Sequence, residues 1–208
     1  MGVDIFPAIA QWDRLAETLN SDGMDGIWEL FWAIPSGEEL GEKYDHSVRF
    51  LWPPSDTAPW YGECTFRGLA STGSWDLHWA LSEVWDEMNG HSDLPTDLAA
   101  QVDRFIGRLV RHRHGDPVEQ KISPGLPMER IDVRHLRTAC SPSEVAELAR
   151  VWGRCADRLE ELRPALTAEV VARWPWIADF DQLATLLQDW GEIVAEADRR
   201  GWGLFYLN

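Results

Sequence analysis

Basic charge is scarce in this chain: 19 Lys and Arg stand against 35 Asp and Glu among 208 residues, for a formal net charge of −16. So acidic a surface is repelled by a phosphate backbone unless a dense basic stripe offsets it, so no nucleic-acid partner is expected. Only Lys43 and Lys121 are lysines, a bias that fits a GC-rich bacterial coding sequence. Cysteine is scarce too. Cys64, Cys140 and Cys155 are odd in number and lack metal-type pair spacing, which argues against a disulfide scaffold or a zinc site and for packed, reduced thiols. No apolar run approaches the ~18 residues of a membrane span. The opening Met1-Gly-Val-Asp-Ile-Phe-Pro7 carries an acid where a secretory leader has bases, so a cytoplasmic protein is expected. A glycine-rich phosphate loop, a G-x-S-x-G elbow and an H-E-x-x-H helix are all missing, and with them any pointer to a cofactor or a metal.

Hydrophobic residues make up 45% of the chain, enough for one core in a single compact domain over residues 1–208. Its densest stretch is 73–90, where Leu77, Leu81, Val84, Trp85 and Met88 repeat with helical spacing. Trp75 and Trp79 fall on the opposite side, so the helix is expected to have neighbours on two sides, with His78 at the edge between them. The chain opens with a short strand at 2–6. Pro7 suits a first helical position, and a helix then runs to Ser21-Asp-Gly23. The apolar run 26–34 fits a buried strand or a short helix. From Pro35 to Leu69 the texture is that of a long Trp-rich loop insert, within which 47–52 and 64–66 are candidate paired strands.

Further helices are predicted from 93–96 to Val110 and from Ser141 to Leu162. Shorter and longer ones follow between Pro164 and Pro175 and over Asp179 to Arg200. Ser141-Pro-Ser-Glu144 reads as a capping box. Strands are predicted at 131–136 and 202–207, the latter apolar without alternation and hence buried on both faces. The fold class is α+β: a small mixed sheet packed with about five or six helices.

Several of these segments carry a resemblance. Met1-Gly-Val, Trp75-Asp-Leu-His-Trp79, Val133-Arg-His-Leu136 with Ser141-Pro-Ser-Glu-Val145, and Ala197-Asp-Arg-Arg-Gly-Trp-Gly-Leu-Phe-Tyr-Leu207 occur in an order similar to the YfbM-like bacterial proteins, a domain family of unknown function. The likeness spans about two thirds of the chain, and 35–69 departs from it. It implies a compact α+β domain in a bacterial cytoplasm and carries over no catalytic residue.

Thirteen tryptophans are the unusual feature. Trp12, Trp85, Trp152 and Trp190 lie on apolar helical stripes and read as core. Trp52, Trp60 and Tyr61 in the loop region, above Trp75, His78 and Trp79, read as walls of a concave aromatic site, with Glu63 and Arg67 as orienting groups or as a surface salt pair. His78 and Glu63 are the acid–base candidates, against a satisfied core histidine. Three functions follow from these residues. The first is binding of a small, flat or apolar molecule; the second is an acidic, immunity-type partner for a basic protein. An acid–base enzyme using His78 and a carboxylate is the third.

Overall fold

A computed structural model describes residues 5–34, 48–54, 58–67, 75–90, 94–110 and 121–207. Its strands are β1 (Phe6–Ala10), β2 (Arg49–Leu51), β3 (Tyr61–Thr65), β4 (Leu136–Cys140) and β5 (Gly203–Leu207). They form one sheet in the order β2-β3-β1-β5-β4. All four ladders are antiparallel, and the isolated bridge Ile122↔Ala139 contributes the parallel pairing. The helices are α1 (Trp12–Trp32), α2 (Trp75–Asn89), α3 (Thr96–Leu109), α4 (Pro142–Cys155), α5 (Ala168–Arg173) and α6 (Phe180–Arg200), with a 3-10 stretch at Ala156–Ala165. The class is α+β.

Period-two alternation sends the strands' side chains into two cores. Ile5, Ile9, Cys64, Phe66, Cys140, Leu204 and Tyr206 face the layer of α2 to α6. Ala8, Ala10, Tyr61, Leu136, Ala139, Phe205 and Leu207 face α1 and the connection before β4. β5 is buried along its whole length, as its unbroken apolar run predicts. No helix among the described residues is long and apolar enough to cross a membrane.

Local chemistry explains the differences from the sequence reading. Pro7 sits inside β1, opposite Tyr206, rather than opening a helix. The ladder to β3 starts one residue later, at Ala8, so the imide falls where that ladder ends. α1 breaks at Gly23, whose φ of 65° and ψ of −149° suit only glycine. The chain then resumes as helix, which settles 26–34: Ile27, Leu30, Phe31 and Ile34 recur at helical spacing over the α1-side core. Within 35–69, residues 35–47, 55–57 and 68–69 lie outside the described part. The rest includes the expected strand pair, with Arg49↔Thr65, Phe50↔Cys64 and Leu51↔Glu63 in register.

The strand expected at 131–136 begins at Leu136 instead. Asp132 draws the preceding residues into a turn, its Oδ1 accepting Arg134 N–H at 3.0 Å and its carbonyl accepting the N–H of His135 and of Leu136 at 2.9 Å. Ser141 does cap α4, its Oγ accepting from Glu144 N–H at 3.5 Å. The reciprocal half of the capping box is weakened: the Ser141 N–H donates to Ser123 Oγ at 2.8 Å and reaches the Glu144 carboxylate only as its weakest partner, because that carboxylate turns to Arg108 at 2.7 Å and to Ser123. That Arg108 also donates to the carbonyls of Lys121 at 2.8 Å and Ala139 at 2.9 Å, tying α3 to the connection and to β4.

Candidate functional site

α2 turns Leu77, Leu81, Val84, Trp85 and Met88 into the helical layer, and the Trp85 indole N–H donates to Asp103 Oδ1 of α3 at 3.1 Å. The opposite side is more open than the sequence suggested. Asp76, Trp79, Glu83 and Asp86 form its outer stripe, with Trp79 40% exposed. The Trp79 ring meets the edge of Trp174, just after α5, with centroids 5.5 Å apart. Trp174 donates from its indole to Glu87 Oε1 at 2.9 Å, and Arg173 reaches the same oxygen at 2.9 Å. Trp176, two residues on, is 54% exposed. Acids without a lysine or arginine on α2, beside exposed indoles, suit a cationic surface. The side chain of Trp75 lies outside the described part.

His78 is 1% exposed. Its Nδ1 accepts the Trp190 indole N–H at 3.2 Å, which puts the neutral ring's proton on Nε2. Phe66 and Trp190 flank it at 4.7 and 5.5 Å between centroids. Burial pushes its pKa down to about 3, so the imidazole is neutral at ordinary pH. Glu63 points to the other side of the sheet, because it alternates with Cys64 and shares the face of Tyr61. Burial alone pushes the Glu63 carboxyl up to about 7. The acid–base pair of His78 and Glu63 is therefore not assembled: β3 lies between its members.

Arg67 has a different partner from the one its neighbours in sequence suggested. Its backbone N–H donates to Asp189 Oδ2 at 3.0 Å, and its guanidinium bonds Asp189 and Glu192 on α6. Asp189 is buried, and desolvation outweighs the pull of Arg67 and raises its pKa to about 6. Nothing near Arg67 in sequence pointed to this carboxylate, which stands 122 residues away.

The three loop aromatics also divide. Trp60 and Tyr61 join the α1-side core, edge to face at 4.8 Å, and the Tyr61 hydroxyl donates to Leu30 O at 3.0 Å. Trp52 joins the opposite core. There it lies across bare Gly62, where a Cβ would fall 2.3 Å from the ring, and meets Trp202 at 6.2 Å, edge to face. The Arg200 guanidinium sits 4.1 Å from the Trp52 ring centre and 4.8 Å from that of Trp202. So the residues expected to form one concave site lie in separate places, and Trp174, Asp189, Arg200 and Trp202 supply partners that the sequence did not single out.

Among the described residues no group of three or more His, Cys, Asp and Glu is placed to hold a metal. The cysteine thiols are buried, and burial raises the pKa of Cys140 to about 12 and that of Cys155 to about 11, so neither presents a thiolate. Family models, curated proteins and solved structures were each compared with the chain, and none matches.

Proposed function

We propose that the protein is an acidic binding partner that docks a basic protein segment on the outer face of α2 beside α5. The observation that carries the reading is Trp79, 40% exposed on a helix that contributes Asp76, Glu83 and Asp86 outward and no base. An exposed indole among carboxylates offers a lysine or arginine both a π face and opposite charge. The chain's net charge of −16 adds long-range attraction for a basic partner. Membership of the YfbM-like bacterial family belongs to the same proposal and rests on the motifs quoted above.

A test uses a synthetic arginine-rich helix-forming peptide and its citrulline counterpart, titrated at low and high salt. The arginine peptide should bind, weaken steeply with salt, and lose about 2 kcal/mol on Trp79→Ala. Equal affinity for the citrulline peptide, or indifference to Trp79→Ala, would overturn the reading. Small-molecule binding is the second reading, favoured by the Trp52–Arg200–Trp202 group; it requires no contribution from Trp60 or Tyr61.

A further inference from the structure

Arg200 closes the last turn of α6, and Gly201, at φ 68°, swings the chain into Trp202 and β5. Two indoles therefore frame its guanidinium. Trp52 comes from the end of β2 and is seated by Gly62; Trp202 precedes β5. One face of the Arg200 fork is also fixed by a hydrogen bond, its Nε donating to Glu196 Oε1 at 2.6 Å. The same Glu196 accepts two bonds from Arg199 at 2.7 Å, so two guanidinium groups share one carboxylate and one positive charge is left over. That excess stands out on a chain whose total is −16.

The two terminal nitrogens of Arg200 have no acceptor among the described residues, and the side chain keeps 24% exposure. An arginine seated in the corner of two nearly perpendicular indoles and tied at Nε has already lost much of the rotamer freedom that binding normally removes, and its planar fork matches a carboxylate. A single excess positive charge suits a monoanion better than a phosphate dianion. The aromatic walls suit a flat or apolar body.

We propose that Arg200, seated in the corner that Trp52 and Trp202 make, is a recognition site for the carboxylate of a molecule with a flat or apolar body. This inference rests on the small-molecule reading and is independent of docking at α2. A free organic acid and the C-terminus of a peptide share the chemistry and are separated by the arms of the test.

The indole N–H signals of Trp52 and Trp202 are followed by NMR in the full chain during titration with benzoate, benzamide, inorganic phosphate, and a short apolar peptide with a free or an amidated C-terminus. Benzoate should shift both signals saturably and benzamide should bind at least about tenfold more weakly. Arg200→Lys, which keeps the charge and loses the fork, should weaken benzoate by a similar factor while the thermal midpoint stays near that of the parent. A response to the free-acid peptide but not to its amide would assign the site to chain termini, and a response to benzoate alone to small acids. If benzamide binds as well as benzoate, the carboxylate assignment fails while small-molecule binding stands. A phosphate response equal to benzoate's marks a non-specific anion contact and overturns the proposal. Silence toward every probe removes both readings.

Discussion

Glu63 is a carboxylic acid buried 8% exposed in β3, between Ala8 of β1 and Leu51 of β2, and burial raises its pKa from 4.5 to about 7. Between those values the folded chain holds a proton that the unfolded chain has released. Stability contributed by this group is therefore present below about pH 4.5 and is lost as pH rises to about 7, by about 1.4 kcal/mol per unit. His78 works in the other direction, because its pKa is lowered from 6.5 to about 3 and the unfolded chain takes the proton first, so stability is lost as pH falls below about 6.5. Glu63→Gln removes only the first effect. Relative to the parent, the variant should gain about 3 kcal/mol between about pH 4.5 and 7 and stay ahead above that. Urea unfolding of both proteins at several pH values checks this, and a difference that does not vary with pH would mean that Glu63 is solvated.

At the scale of elements, α4 and α6 approach closely at Gly191. Trp152 covers Gly191 so tightly that a Cβ there would fall 2.0 Å from the indole. Alanine is favoured over glycine in a helix by about 1 kcal/mol, yet overpacking costs about 1–3 kcal/mol and here should win. Gly191→Ala should lower stability, and adding Trp152→Ala should make the alanine at 191 less harmful than it is alone, as a double-mutant cycle would measure. Strictly additive effects would show that the ring moves away freely. The helix stripe around Gly191 was legible in the sequence, as were the Gly201 stop and the Ser141 cap, because each signal is confined to a few adjacent residues. What pairs with what was not legible. Trp190 meets His78 across 112 positions, so the burial of His78 was readable from its place on α2 but its partner was not. The aromatic site failed for a related reason. Alternation along β2 and β3 decides which side of the sheet Trp52 and Tyr61 face, and that requires the register of the two strands.

For the whole molecule, β5 is the strand on which both cores depend. It pairs with β1 on one side and β4 on the other, and it sends Leu204 and Tyr206 into the helical layer while Phe205 and Leu207 enter the α1 side. Without it, β4 has no neighbour among the named strands and the sheet stops at β1. Burial of one large apolar side chain contributes about 1.5–3 kcal/mol, so these four side chains together with Trp202 represent on the order of 10 kcal/mol. A domain of ordinary stability has only about 5–15 kcal/mol in total. Deleting residues 202–208 should therefore abolish cooperative folding rather than lower the midpoint by a few degrees. Circular dichroism during urea unfolding would show a broad, sloping change in place of a sigmoid. If the truncated chain instead unfolds in one sharp transition, α1 and the helical layer hold together without a shared strand, and the two cores are less dependent on each other than the sheet order implies.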